Sequence, residues 1–228
     1  MIAGNLEIIR KKIAEAAARA HRQPDEVRLV AAAKAQGKVK IEEAIAAGVR
    51  IIGHNYVQEA TQEVPSTPVP GIEFHMIGHL QKNKAGKAVE LFHTIETVDD
   101  PDLASALHHR AEAAGRVLGV MVQVNLAGEV QKSGVDEAAA EALACSIRDL
   151  PCLRLVGLMT MPPFFDDPDR ARPYFARLRV LRDKLTAAGI LTSDMQELSM
   201  GMTGDFEVAV EEGATLVRIG TALFGPRA

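Results

Sequence analysis

The stretch LSMGMTGDFEVAVEEGATLVRIGTALFG, residues 198–225, contains the repeating unit from which the fold follows. An apolar strand end leads into a glycine-containing loop, a short segment of helical period and the apolar run TLVRIG. A second glycine-containing loop comes next. Two strands that are joined through a helix usually run parallel in one sheet, so this unit predicts parallel β-structure.

The same alternation of short apolar runs and longer alanine-rich segments covers the rest of the chain. After an amphipathic helix over 4–21, we predict strands over Val27–Lys34, Arg50–Gly53, Glu73–Ile77, Thr94–Thr97, Val117–Asn125, Leu153–Thr160, Glu197–Ser199 and Leu216–Ile219. The predicted helices cover 39–47, 55–63, 81–91, 101–114, 136–149, 168–188 and 205–212.

Eight such units in 228 residues predict an α/β protein with a single closed (β/α)8 TIM barrel. An open doubly wound sheet is the alternative, although its glycine fingerprint does not follow the first predicted strand. We predict one domain over residues 1–228, because the loop-like stretch VPSTPVPG (64–71) is too short for a domain linker.

The composition argues against several classes of partner. A formal net charge of −4 gives no strong positive field for nucleic acid or an anionic membrane, and neither is expected as a partner. The chain has no apolar stretch of membrane-spanning length, and its first residues do not resemble a signal peptide. Two cysteines, Cys145 and Cys152, do not suggest a disulfide framework. We therefore expect a cytoplasmic protein, and a monomer.

Polar motifs follow the predicted strands at the end where a TIM barrel builds its sites. Lys34 ends the first strand, GHNY (53–56) follows the second, IGHLQKNK (77–84) follows the third and KSG (132–134) lies beyond the fifth. His75 and His79 have a spacing that would suit zinc on a helix, but this segment is a strand end with Gly78 in it, and no metal site is predicted.

The last two strand ends have features of a phosphate site. Gly201, Gly204 and Gly220 allow backbone N–H groups to point at an anion, and Thr221 adds a hydroxyl donor. The alternative is that each glycine only serves a turn.

Lys34 and Arg218 are charged residues placed in apolar strands. A desolvated lysine can condense with an aldehyde, and an aldehyde together with a phosphate points to pyridoxal 5'-phosphate (PLP). Arg218 could then face the pyridine nitrogen, as such a cofactor needs a partner there. Otherwise Lys34 is a solvated strand cap and Arg218 forms a structural salt bridge.

Six motifs together carry a family resemblance: LVAAAKA, GHNYVQEA, FHMIGHLQKNK, QVNLAGEVQKSGV, LRLVGLMTMP and LSMGMTGDFEVAVEEGATLVRIGTALFGPR. They resemble the YggS/PROSC family of pyridoxal phosphate homeostasis proteins. The resemblance implies a PLP-binding barrel similar to the N-terminal domain of alanine racemase, with PLP held as a Schiff base on Lys34 and Arg218 at the ring nitrogen. It implies phosphate ligands at Ser199, Gly201, Gly220 and Thr221, and residues near the ring at Asn55, His75 and Met159.

The resemblance also implies a role in PLP homeostasis without established catalysis, with PLP-dependent apoenzymes as partners. Three positions depart from the family pattern: Ala33 and Ala35 flank the lysine without hydroxyls, and His54 replaces a glutamate. A small alanine-racemase-like enzyme is the main alternative, but its second β-rich domain, which supplies a tyrosine, is not expected here. A barrel that uses Lys34 towards another phosphorylated metabolite is a further alternative.

Overall fold

A computed structural model of the chain describes residues 1–65, 67, 69–129, 131–192 and 196–226. Parts of three sequence features lie outside these residues. They are Ser66 and Pro68 of the 64–71 loop, Val130 of QVNLAGEVQKSGV and Arg227 of the last motif.

The predicted TIM barrel is confirmed. Eight parallel strands pair in chain order, and β8 returns to β1 to close the barrel. The strands are β1 (Arg28–Ala32), β2 (Ile51–His54), β3 (Glu73–Met76), β4 (Thr94–Val98), β5 (Leu118–Gln123), β6 (Leu153–Met159), β7 (Glu197–Ser199) and β8 (Leu216–Ile219).

Helices surround the barrel; all but the first and the last of those described connect successive strands. They are α1 (Ile2–Arg19), α2 (Gly37–Ala46), α3 (Val57–Glu63), α4 (Ala85–Leu91), α5 (Pro101–Ala113), α6 (Glu137–Arg148), α7 (Arg172–Ala187), α8 (Phe206–Glu211) and α9 (Thr221–Phe224). Single turns of 3₁₀-helix cover Pro24–Glu26, Lys82–Lys84 and Pro168–Ala171.

Helix α5 shows how the sequence determines these elements. The Asp100 side chain accepts a hydrogen bond from the Asp102 N–H at 2.9 Å, and Pro101 occupies the first turn, where its missing N–H costs nothing. Leu103 and Leu107 then recur at helical spacing and are buried. The helix therefore begins at a cap and packs one apolar stripe against the sheet.

Two of the differences from the predicted elements lie at the carboxyl ends of the strands. Strand β1 ends at Ala32, so Lys34 lies in the turn after the strand, because Ala35 adopts a left-handed conformation with φ of 58° that ends the extended backbone. Helix α9 was not predicted; it is a short turn that begins directly after Gly220.

The two faces of the barrel sheet differ in composition. Its outer face and the helices form a continuous apolar core. Inside the barrel a smaller apolar cluster consists of Val30, Ile51, Ile77, Met121, Met159 and Leu216. Charged and polar side chains also lie in the interior, and they lead up to the candidate site.

Among the described residues, none of the helices combines the length and the hydropathy that crossing a bilayer requires.

Candidate functional site

A cavity of about 380 Å³ lies at the carboxyl ends of the strands, where TIM barrels build their sites. Five of the nine predicted site residues line it: Lys34, Asn55, Arg218, Gly220 and Thr221. The structure therefore brings the amine, the guanidinium and the last glycine loop together. The other lining residues are Ala32, Gln36, Ile77, Met161, Phe164, Met202, Thr203 and Gly204.

Lys34 is placed by the turn that follows β1. Its side chain is half-buried, and Nζ lies 5.3 Å from the centroid of the Tyr56 ring, within the range of a cation–π contact. The sequence predicted a lysine at the end of a buried strand. The structure corrects this to a half-buried lysine in a turn that opens on the cavity.

Asn55 is held by close backbone contact with the loop after β3. A Cβ atom at Gly78 would lie 2.3 Å from the carbonyl oxygen of Asn55. Only glycine fits there, so the IGHL segment can pack directly against the residue that follows β2.

Arg218 lies at the floor of the cavity and is buried. Its Nη1 donates to Ser199 Oγ at 2.5 Å, and its Nη2 donates to the Thr160 carbonyl oxygen at 2.8 Å. The Ser199 hydroxyl in turn donates to Glu96 Oε2 at 2.5 Å. Burial lowers the pKa of Arg218, and the negative charges of Glu96 and Asp205 oppose that shift. Arginine remains protonated in proteins, so a fixed positive charge lies below the cavity.

His75 continues this chain of contacts into the barrel. Its Nδ1 lies 2.7 Å from Glu96 Oε1, and its Nε2 lies 3.1 Å from Glu73 Oε2. Both ring nitrogens therefore face carboxylate oxygens, which only the doubly protonated ring can satisfy. Burial would lower the pKa of His75, but the hydrogen bonds and charges of Glu73 and Glu96 outweigh burial and raise it.

Glu96 is the anion between the two cations. Burial would raise its pKa, but the hydrogen bond and charge of His75, with the Arg218 charge and the Ser199 hydroxyl, lower it overall. Glu96 was missed as a functional residue. The available signal was a carboxylate inside the apolar strand TIETV, the same kind of signal that singled out Arg218.

The contacts reach the opposite end of the barrel. Glu73 lies 3.7 Å from Arg28, and Arg28 pairs with Glu197 at 2.6 Å. We name the set Arg218, Ser199, Glu96, His75, Glu73, Arg28 and Glu197 the interior network.

Four of the predicted site residues do not line the cavity. His75 and Ser199 belong to the interior network, and Met159 lies in the interior apolar cluster. Gly201 has φ of 90°, and a Cβ atom there would lie 2.5 Å from Ala209 Cβ. That glycine is required for the loop to pack on α8. A role for these four residues in binding a cofactor stays a prediction.

Comparison with known proteins identifies the family. The family model "Alanine racemase, N-terminal domain" matches residues 4–228. The chain is 40% identical over 232 residues to the pyridoxal phosphate homeostasis protein of Escherichia coli (strain K12), across 99% of this chain and 97% of that protein. The chain belongs to the pyridoxal phosphate homeostasis protein family.

A further pyridoxal phosphate homeostasis protein and one solved structure are similarly related to this chain. The one from Aquifex aeolicus (strain VF5) is 38% identical, across 97% of this chain and 96% of that protein. The solved structure of PipY from Synechococcus elongatus PCC7942 with PLP bound is 35% identical, with a TM-score of 0.84 across 99% of this chain and 100% of that chain. The family resemblance predicted from the sequence motifs is confirmed.

Proposed function

We propose that this protein binds PLP in the 380 Å³ cavity and acts in intracellular PLP homeostasis, holding the cofactor without catalytic turnover. The observation that carries the proposal is the meeting of an amine, a buried guanidinium and the last glycine loop in one cavity. The similarity to PipY with PLP bound supports the same cofactor.

The lining residues fit the groups of PLP. PLP supplies an aldehyde that condenses with a primary amine, and Lys34 is the amine that would hold it as a Schiff base. Gly220 and Thr221 would bind the phosphate, together with the predicted Gly204 and with Thr203, which the sequence analysis did not single out. Asn55 would lie beside the ring.

Arg218 would face the pyridine nitrogen. Because a guanidinium donates and cannot accept a proton, it would keep that nitrogen unprotonated and weaken the ring as an electron sink. Ser199 and Glu96 fix the guanidinium from below. This arrangement favours holding the cofactor over using it.

The cavity lining also disfavours a racemase. Racemisation by two bases requires a proton-transfer group on each face of the ring. Among the described residues that line the cavity, Lys34 and Arg218 are the ionisable ones, and Arg218 does not release its proton. Tyr56 lies near Lys34 but is half-exposed and does not line the cavity.

Covalent trapping tests the proposal. The purified protein is mixed with PLP, its visible absorption is recorded, and the adduct is reduced with borohydride and mapped by peptide mass spectrometry. We expect a yellow protein labelled at Lys34. Lys34→Ala should lose the label at that position and lose less than about 0.5 kcal/mol of stability, because the side chain is half-buried in a turn.

Lys38→Ala, on the exposed side of α2, is the matched control and should retain colour and label. No colour, or label spread over surface lysines, would refute PLP binding at this site. Production of D-alanine from L-alanine by the loaded protein would refute the proposal that it has no catalytic turnover.

The remaining parts of the proposal concern partners. We propose PLP-dependent apoenzymes as recipients of the cofactor, a monomer in solution and a cytoplasmic location. Sedimentation analysis tests the monomer, and PLP transfer to a purified apoenzyme tests the recipient class.

A further inference from the structure

A second cavity, of about 290 Å³, lies beside the cofactor cavity at the same end of the barrel. Its polar lining comes from the end of β5, from His79 in the loop after β3, and from the KSG motif, which the proposed function does not use. The two cavities share Met161, Phe164 and Met202 as lining residues. A molecule in the second cavity would therefore lie next to one in the first.

Gln123 lines this second cavity and carries a buried acceptor. The residue is 2% exposed, and its Nε2 donates to the Ser133 carbonyl oxygen at 3.0 Å. A carbonyl oxygen only accepts, so this bond fixes the orientation of the amide. The other amide atom, Oε1, is buried and has no hydrogen-bond partner among the described residues. A buried acceptor of this kind is satisfied by a ligand that donates.

Lys132 also lines this cavity, as the cationic member of an ion pair with Glu129. Its Nζ lies 3.2 Å from the Pro162 carbonyl oxygen and 2.6 Å from Glu129 Oε2. An ammonium group has three N–H donors, so one remains after these two contacts. That donor suits a ligand carboxylate.

The rest of the lining is largely apolar, with Met161, Pro162, Phe164 and Met202 contributing side chains. A fitting ligand therefore carries a donor, an anion and an apolar group. We propose that the second cavity binds a small α-amino acid with an apolar side chain. Its ammonium group donates to Gln123 Oε1, its carboxylate pairs with Lys132, and its side chain contacts the apolar lining.

This inference rests on the proposed function only for the neighbouring PLP; the binding itself requires no cofactor. The amino acid carries a primary amine. Beside bound PLP, that amine could compete with Lys34 for the aldehyde of the cofactor. The second cavity would then connect cofactor retention to amino-acid supply.

Calorimetric titration of the PLP-free protein tests the proposal. The probe is L-leucine, compared with 4-methylpentanoate, which lacks the ammonium group, and with leucinamide, which lacks the carboxylate. We expect L-leucine to bind, and each analogue to bind about 10-fold to 100-fold more weakly, as expected for loss of a hydrogen bond to a charged group.

Two variants assign the contacts. Gln123→Met should remove the preference for L-leucine over 4-methylpentanoate, and Lys132→Met should remove the preference over leucinamide. If Gln123 or Lys132 had only a structural role, its substitution would not remove one of these binding preferences and leave the other. Gln62→Met and Lys87→Met, both on exposed helix surfaces, are the matched controls and should keep both preferences.

No binding of L-leucine, or equal affinity for all three compounds, would overturn the proposal. If Gln123→Met fails to fold, the two analogues and Lys132→Met decide the outcome. PLP binding is followed separately by visible absorption. Loss of PLP binding with L-leucine binding retained counts against the proposed function, and the reverse result counts against the second cavity as an amino-acid site.

Discussion

Two buried histidines on neighbouring strands have opposite surroundings. His75 on β3 points into the barrel, where Glu73 and Glu96 hold both ring nitrogens and raise its pKa. His54 on β2 is 0% exposed on the outer face, with its ring 6.3 Å from that of Phe74 and 6.2 Å from that of Phe92. Burial alone lowers the pKa of His54 to about 4.

The pair shows that burial makes a histidine neutral where no charged partner opposes it, and that hydrogen-bonded carboxylates reverse this effect. Neither ring nitrogen of His54 makes a hydrogen bond with a described residue, although Glu63 Oε2 lies 3.3 Å from Nδ1. His54 is therefore neutral in an apolar layer, whereas His75 is charged in a network of ions. One sheet supports both because its two faces are separate environments.

Removing the charge of Glu96, the anion between His75 and Arg218, should lower the free energy of unfolding more than the other substitutions. Glu96→Gln leaves the positive charges of His75 and Arg218 buried without their shared carboxylate. We expect the free energy of unfolding to fall by about 3–5 kcal/mol, the usual cost of breaking a buried pair. Urea unfolding at pH 7 measures the loss. Glu90→Gln, at an exposed position, is the control, and an equal effect in both variants would contradict the role of the network.

Removing His54 should change how stability depends on pH. Because the pKa of His54 is about 4 in the folded protein and near 6.5 when unfolded, the unfolded chain binds more protons between these values, and stability falls as the pH falls. His54→Leu should lack this decline, which amounts to about 3 kcal/mol between pH 7 and pH 4.

Unfolding of both proteins across that pH range measures the difference. Burial and the Glu59 charge raise the pKa of Glu63, which acts in the opposite direction, but this contribution is shared by both proteins. Parallel stability curves would show that the pKa of His54 is not lowered in the folded protein.

Removing His75 should give the opposite pH dependence. A raised pKa stabilises the folded protein below about pH 6.5, and this contribution is lost as the pH rises through the folded pKa. His75→Gln should therefore be less stable than the natural chain by about 2 kcal/mol at pH 6, the value of a hydrogen bond to a charged group. The gap should narrow towards alkaline pH. If the difference in stability between the two proteins widens as the pH rises, the His75 ring is neutral in the folded protein.

The barrel and part of the candidate site could be predicted because they depend on local patterns in the sequence. Strand and helix periods are local, and the TIM barrel rule converts them into one functional end, which brought Lys34, Arg218 and Gly220 together. Ser199 was predicted as a phosphate ligand, but its hydroxyl bonds Glu96, which is 103 positions away in the chain. Such a contact depends on how the barrel closes, and no local pattern contains it.

His54 illustrates the same limit. It lies beside Asn55 in the sequence, so it was considered in the context of the site. Side chains in a strand alternate between the two faces, and the structure places His54 on the outer one. Only the register of β2 in the closed barrel separates these two environments.

The interior network contains three cations, Arg28, His75 and Arg218, and three anions, Glu73, Glu96 and Glu197, so its formal charges cancel. Salt screens buried charges much less than exposed ones. The ion pairs on the helices should weaken as ionic strength rises, while the centre of the barrel is little affected. The member of the network that lines the cavity is the cation Arg218, so a phosphate arriving at the rim would meet that positive charge together with the loop N–H groups around the opening.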